Sequence, residues 1–174
     1  MFKAEAFLRG VRAGAFGGKM SKQQEDGCIF LVGRWQSRPR GDQRHLAYAL
    51  ATAEWETDGQ MQPIDDGSAE RFRGRGYIPR TGQPFYERIS SLCSIDLVAE
   101  PERLLEPEIA AESLFGGLQA GAFTGDELST FLNSTTVDWI GARRAAGDLR
   151  HAGAIANVAI AYWIALQGAS NSKG

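Results

Sequence analysis

The pattern of hydrophobic and polar positions along this chain is mostly helical. It is clearest after Asp42, where apolar side chains recur every three or four residues and predict a helix with one buried face. That face consists of Leu46, Ala49, Leu50 and Ala53. Asp42 carries an acceptor that can cap the first backbone N–H groups, and Gly59 is expected to end the helix.

Helical spacing also predicts helices on both sides of this stretch. Ser21 and Gln24 form a capping-box pattern that opens one of them. The predicted helices cover 2–15, 21–35, a segment that opens at Pro84, 107–121 and 149–167, where Gly168 is the stop signal. Two shorter helices are expected after Asp126 and Thr136. The inward positions are predicted to be Phe2, Ala6, Phe7, Ile29, Phe30, Val32, Phe85, Tyr86, Ile89, Leu92, Ile109, Leu114, Phe115, Leu118, Ile155, Val158, Tyr162 and Leu166.

A polar segment separates the Asp42 helix from the Pro84 helix. Its first part, 58–70, is acidic and has few strong structure formers, which is typical of a functional loop. Its second part, 71–80, contains Gly74 and Gly76 and predicts a tight strand-turn. The chain is therefore predicted to be a mainly α single domain over 1–168, with at most a small β-hairpin, followed by a flexible tail at 169–174.

The composition excludes several classes of function. With 174 residues, 43% of them hydrophobic, the chain is long enough for one well-buried core. A formal net charge of -2 gives no general attraction to nucleic acid or anionic membranes, so any positive field must be local. Cys28, Cys93, His45 and His151 lack the tight spacing of metal ligands, and neither a metal nor another cofactor is expected.

The beginning of the chain has no apolar core of the kind found in signal peptides. No run is judged to approach the ~20 apolar residues of a membrane-spanning helix. The protein is therefore expected to be made in the cytoplasm, without membrane insertion.

Among the carboxylates of the predicted helix, Glu56 has the position that most suggests a functional role. At helical spacing it projects about 80° from Leu46, on the shoulder of the apolar face. A carboxyl group that is half against a core can keep its proton near neutral pH. Most glutamates at such positions are only solvated, and neighbouring Glu54 is interpreted as one of these.

Four stretches of the chain carry a likeness to a known family. They are LATAEWETDGQMQPI, RFRGRGYIPRTGQPFYERIS, IDLVAEPERLLEPEIAAESL and DWIGARR. Together they resemble the family 19 glycoside hydrolases, and more closely the short lysozyme-like branch found in phage endolysins and bacterial prophages. The similarity runs from about Phe2 to Leu166, with the motifs in the same order.

The resemblance implies roles for the acidic residues. Glu56 occupies the position of the general acid, and the partner carboxylate is Asp66, or secondly Asp65, with Glu70 a poor third. Thr81 matches the hydroxyl that helps to hold the attacking water. Two such carboxyl groups, separated by ~6.5–9.5 Å, cleave a glycosidic bond with inversion.

The resemblance also implies a sugar-binding surface, formed by Trp55, Arg75, Tyr77 and Tyr86. The chain departs from the family at three places. Trp55 replaces a histidine, Pro79-Arg80 replaces glutamine-leucine, and the segment 145–148 replaces an asparagine-glycine pair.

The first functional hypothesis is a hydrolase that cleaves β-1,4 bonds between the amino sugars of peptidoglycan. It would reach the periplasm or cell wall with the help of a holin or a secretion system. The second is an inactive descendant that binds a glycan or a protein, which the three departures favour, and the third is a chitinase. The RGRG segment is also typical of RNA-binding tails, but here it is one turn inside a fold, so nucleic acid is not expected as a partner.

Both thiols should be reduced, because two cysteines do not form a disulfide framework and Cys28 lies in an apolar run. The intact mass measured without reductant should equal that of the fully reduced chain. A mass lower by two hydrogens would demonstrate a bridge between Cys28 and Cys93 and contradict this expectation.

Overall fold

The computed structural model describes residues 2–39 and 41–171. Over these residues the chain forms six α-helices and one two-stranded antiparallel sheet. The elements are α1 (Ala4–Gly14), α2 (Lys22–Gln36), α3 (Gln43–Glu56), β1 (Ile64–Asp65), β2 (Arg75–Gly76), α4 (Gln83–Cys93), α5 (Pro107–Gln119) and α6 (Ala152–Asn171). The predicted fold class, mainly α with a small hairpin, is confirmed.

Helix α3 is the centre of the molecule. Every side chain from His45 to Ala53 is buried, so the helix is enclosed on all sides rather than along the single face that was predicted. It packs mainly against α6, and also against α5 and α2. The ring Nε2 of His45 lies 2.7 Å from the Leu132 carbonyl oxygen, which gives this buried histidine a structural partner.

The predicted start signals of two helices are present. Both halves of the Ser21–Gln24 capping box are formed at the start of α2. At the start of α3, the Asp42 side chain accepts a hydrogen bond of 2.9 Å from the backbone N–H of Arg44. These caps satisfy N–H groups that have no partner within the helix.

Helix α6 closes the core and lies against α1 as well as α3. Gly10 and Gly14 of α1 face Ala165 and Ala161 of α6 so closely that an added Cβ would lie 2.9 and 3.0 Å from those Cβ atoms. Small residues thus set the distance between the two helices. The helix continues past Gly168 to Asn171, so the predicted stop and the start of the predicted tail are wrong, while 172–174 lie outside the described residues.

The expectation that no segment is long and apolar enough to cross a membrane is also wrong for α6. The stretch Ala152–Ser170 has a mean hydropathy of 1.3 and meets that criterion by length and composition. In this fold, 44% of the apolar window is buried inside the protein.

Helices α4 and α5 form a second, smaller core. Phe85, Tyr86 and Ile89 of α4 are buried there together with Ile109 of α5. Leu92 was expected inside, but it is 39% exposed. In α5 the remaining predicted inward residues, Leu114, Phe115 and Leu118, are buried in the main core.

The two short helices predicted after Asp126 and Thr136 are replaced by 3₁₀ turns at Leu128–Thr130 and Gly141–Ala145. Ile140 is 58% exposed. The carboxylate of Asp138 accepts a hydrogen bond of 2.8 Å from the backbone N–H of Gly141, a local bond that competes with a regular helix.

The small sheet pairs Ile64 with Gly76 and Asp65 with Arg75. One strand therefore lies in the predicted strand-turn segment, as expected, while its partner lies in the loop that was predicted to be irregular. Gly76 has a φ of 94°, a conformation that favours glycine. Both cysteines are free, Cys28 in the core and Cys93 partly covered.

The packing of α2 against the segment after α3 depends on Gly27. An added Cβ would lie 2.1 Å from the Met61 carbonyl oxygen, whereas a Cβ at Gly33 of the same helix meets nothing within 4 Å. We expect Gly27→Ala to lower the free energy of unfolding by about 2 kcal/mol or more. Gly33→Ala should raise it by roughly 0.5–1 kcal/mol, through helix propensity. Chemical denaturation of both variants measures the difference, and equal stabilisation would contradict this packing.

Candidate active site

Glu56 is the last residue of α3, and it lies in a cleft of about 530 Å³. The helix ends there because Thr57 turns the chain. Its buried hydroxyl donates to the Ala53 carbonyl at 2.7 Å and accepts from the backbone N–H of Met61 at 3.1 Å. The cleft is lined by Trp55, Glu56, Arg80, Arg143, Gly147, Asp148, Arg150 and His151.

Two arginines hold the Glu56 carboxylate. Arg143 donates from Nη2 to Oε1 at 2.9 Å, and Nη1 of Arg80 lies 3.5 Å from Oε2. The Arg143 side chain is only 8% exposed and that of Arg80 is 30% exposed, so the Arg143 pair is the closer and better shielded one. The two guanidinium groups therefore contact both oxygen atoms of the Glu56 carboxyl group.

The backbone after α5 positions Arg143. This residue belongs to the 3₁₀ turn Gly141–Ala145, and its Nε donates to the Asp148 carbonyl oxygen at 3.1 Å. Arg80 is tied to the end of the same turn, because its guanidinium donates to the Ala146 carbonyl. The two segments thus meet over the end of α3.

An acidic residue that the sequence analysis had noted only as a departure from the family pattern lines the cleft. Asp148 pairs with Arg150, which donates to Oδ2 at 2.8 Å. The hydrogen bonds from Arg150 lower the pKa of Asp148, so it is ionised at neutral pH. Asp148 follows the DWIGARR motif in the sequence but lies far from Glu56 along the chain. The sequence therefore contained no sign that the two residues line the same cleft.

Aromatic rings form one wall of the cleft. Trp55 is 42% exposed, and its ring lies 5.0 Å from that of His151, centroid to centroid. Of the predicted sugar-contacting residues, Trp55 is the one that lines the cleft.

The two candidate partner carboxylates, Asp65 and Asp66, do not line this cleft. Asp66 accepts hydrogen bonds from the backbone N–H groups of Ser68 and Gly74, at 2.8 and 2.7 Å, and these lower its pKa. Asp65 accepts from Arg73 at 2.6 Å, and this bond is the main reason that its pKa falls to about 2. Both aspartates hold the hairpin together in ionised form.

The other predicted site residues also lie outside the cleft. Arg75 and Tyr86 are buried and hydrogen-bonded to each other at 3.0 Å, and Arg75 also lies 3.4 Å from Asp65. Tyr77 is buried in the main core. Thr81 is exposed, next to Arg80 in the chain. Arg75 thus steadies the acidic loop through Asp65.

Glu54 is largely buried and has a protein partner, which corrects the interpretation of it as a solvated residue. Its Oε2 accepts a hydrogen bond of 2.7 Å from the Tyr162 hydroxyl, which in turn lies 3.7 Å from the Cys28 sulfur in the core. Burial raises the pKa of Glu54 from its ordinary 4.5 to about 7, against the smaller opposing effect of the Tyr162 bond. Within the part of the chain that the structure describes, no group of three His, Cys, Asp or Glu residues could hold a metal ion.

The fold and the cleft define a mainly helical protein with an arginine-rich, aromatic-walled cleft around one glutamate. Comparison of the chain with protein-family models, with curated proteins and with solved structures gives no match. The likeness to family 19 glycoside hydrolases therefore rests on the quoted motifs alone.

The ionisation of Glu54 should make folding stability depend on pH. Its pKa is higher in the folded protein than in the unfolded chain, so its stabilising contribution is complete below about pH 4.5 and is lost as the pH rises through about 7. The loss should be about 2 kcal/mol, with allowance for the part of the side chain that water still reaches. Glu54→Gln keeps an acceptor for Tyr162 and should remove this decline.

Denaturation midpoints of wild type and Glu54→Gln between pH 4 and 8 test the prediction. The matched control is Glu70→Gln, since Glu70 is exposed in the loop. A decline of equal size in all three proteins would assign it to other groups. Cys28 does not contribute in this range, because burial raises the pKa of its thiol to about 12.

Proposed function

We propose that this protein is a glycoside hydrolase that cleaves β-1,4 bonds between the amino sugars of peptidoglycan. One observation carries the proposal. Three of the motif segments that resemble family 19 glycoside hydrolases, distant in the chain, supply Glu56, Arg80 and Arg143 to the same cleft. Convergence of these segments around one carboxylate is what a shared catalytic site requires.

In this proposal Glu56 is the general acid that protonates the leaving oxygen. A general acid must present its proton to the substrate, and both oxygen atoms of the Glu56 carboxyl group are contacted by arginines. Arg80 lies farther from the Glu56 carboxyl oxygens than Arg143 does, and it is more exposed. An incoming substrate can therefore displace Arg80 more easily than Arg143. The acid role therefore requires substrate binding to weaken the contact between Arg80 and Glu56.

The second carboxylate is Asp66 by resemblance, and Asp148 is the alternative that the cleft itself offers. Both are ionised at neutral pH, as a group that activates water must be. Asp66 lies on the hairpin beside the turn that carries Arg80, since a Cβ added at Gly74 would contact both Asp66 and Pro79. Asp148 lines the same cleft as Glu56. The protein would act at the cell wall after release by a holin or a secretion system.

A specific observation favours a second candidate function, a glycan-binding domain without catalysis. The proposed acid carries two ion pairs, and the aspartate that matches the family motif is bound to backbone N–H groups outside the cleft. Such a site retains a sugar-binding wall at Trp55 while lacking a free acid. The two candidates differ only in whether bound peptidoglycan is cut.

We expect Glu56→Gln to lower the rate of peptidoglycan hydrolysis by about 10²–10⁴, because the amide cannot donate a proton at useful acidity. Release of new reducing ends from purified peptidoglycan measures the rate, and circular dichroism confirms folding. Asp66→Asn and Asp148→Asn, compared side by side, identify the partner, which should show a similarly severe loss. Glu70→Gln serves as the control and should retain full activity.

Two outcomes would contradict the hydrolase. In the first, wild type binds peptidoglycan but releases no reducing ends, which would establish the non-catalytic binding domain. In the second, wild type cleaves and Glu56→Gln cleaves equally well, which would remove Glu56 from the chemistry.

A further inference from the structure

The cleft carries a local positive charge on a chain that is negative overall. It is lined by three arginines, Arg80, Arg143 and Arg150, and by two carboxylates, Glu56 and Asp148. The lining therefore has a formal charge of +1 with His151 neutral and +2 with His151 protonated, against -2 for the whole chain. A cleft with a net positive charge focuses the electric field and raises the local concentration of anions.

The arginines keep donor capacity that the protein does not use. Nη1 of the buried Arg143 has no hydrogen-bond partner among the described residues. The Arg150 side chain is 83% exposed, and among the described residues its guanidinium pairs with Asp148 alone, so most of it faces water. Guanidinium groups bind carboxylates and phosphates through parallel, charge-assisted hydrogen bonds.

The wall beside these cations is aromatic. The half-exposed indole of Trp55, packed on the His151 ring, offers an apolar face next to Arg150 in the same cleft. A ligand that matches the cleft thus combines a ring with an apolar face and a negatively charged substituent.

We infer that the cleft recognises a carboxylate attached to a sugar ring, with Arg150 and Arg80 binding the carboxylate and Trp55 packing against the ring. This inference rests on the proposed function for the sugar, and it adds that the substrate is an acidic saccharide rather than a neutral one. The lactyl carboxylate of a muramic acid residue has this chemistry where no stem peptide is attached to it as an amide, and so does the carboxylate of a uronic acid. A neutral polymer of N-acetylglucosamine lacks it.

Binding of monosaccharides to the intact chain, followed by NMR chemical-shift titration, tests the inference without catalysis. N-acetylmuramic acid is compared with its neutral methyl ester and with N-acetylglucosamine, which lacks the lactyl group. We expect the acid to bind about tenfold more tightly than the ester, the gain typical of charge-assisted hydrogen bonds. Glucuronic acid separates a general sugar carboxylate from the lactyl one, and inorganic phosphate reports anion binding without a sugar.

Matched variants locate the effect in the cleft. Arg150→Gln should lower the preference for the acid over the ester at least threefold while leaving the affinity for the ester unchanged. Asp148→Asn should increase the preference, because it removes the carboxylate that competes for Arg150. Arg144→Gln changes the net charge equally, but Arg144 is exposed and does not line the cleft, so the preference should stay at the wild-type value.

The inference is overturned if the acid and the ester bind equally, if neither binds at tens of millimolar, or if Arg144→Gln reduces the preference as much as Arg150→Gln. Phosphate binding as tight as that of the acidic sugar would also overturn it, since the site would then be a simple anion site. These results are independent of hydrolysis. A carboxylate preference without cleavage would support the binding inference and contradict the proposed hydrolase. Cleavage of peptidoglycan without that preference would support the hydrolase and contradict the binding inference.

Discussion

The complete enclosure of α3 is the constraint on which the rest of this structure depends. Its side chains from His45 to Ala53 are buried against the other helices, and full burial of a single leucine-sized side chain contributes about 1.5–3 kcal/mol. Because packing holds α3 on all sides, the position of its last turn is fixed. Trp55 and Glu56 emerge there at the rim of the core, and Thr57 turns the chain away by bonding to both Ala53 and Met61. The cleft is thus built on the end of a helix that the core encloses.

The sequence predicted those features that depend on neighbouring residues. The caps at Ser21 and Asp42 and the buried face of α5 follow from spacings of three or four residues, which are local. The predicted helix after Thr136 fails for a reason that is also local, since Asp138 bonds to the backbone of its own turn. The Gly168 stop fails because packing of α6 on α1 outweighs the low helix propensity of one glycine.

The candidate site was predictable only in part. The motif around Glu56 singled out this residue, and in the structure it lies in the arginine-lined cleft. The ion-pair partners of Glu56 are Arg80 and Arg143, which belong to other segments of the chain. The hydrogen-bond partner of Glu54 is Tyr162, which lies 108 residues further along the chain. No spacing rule connects such positions, so neither the ion pairs of Glu56 nor the burial of Glu54 could be inferred from the pattern.

The last turn of α3 holds two glutamates in opposite electrostatic environments. Residues two apart on a helix project about 200° from each other, so Glu54 and Glu56 face different neighbours. Glu54 faces the core and Tyr162, where burial raises its pKa, while Glu56 faces two guanidinium groups in the cleft.

The carboxyl group that the motif assigns to acid catalysis is therefore the one that two arginines already contact. A negatively charged substrate group would compete with Glu56 for Arg80, which is the more exposed of the two cations. Displacement of Arg80 would leave Oε2 of Glu56 open to the leaving oxygen of the substrate. Recognition of an acidic sugar and activation of the acid would then be one event, so that the site becomes reactive only when the matching substrate is bound.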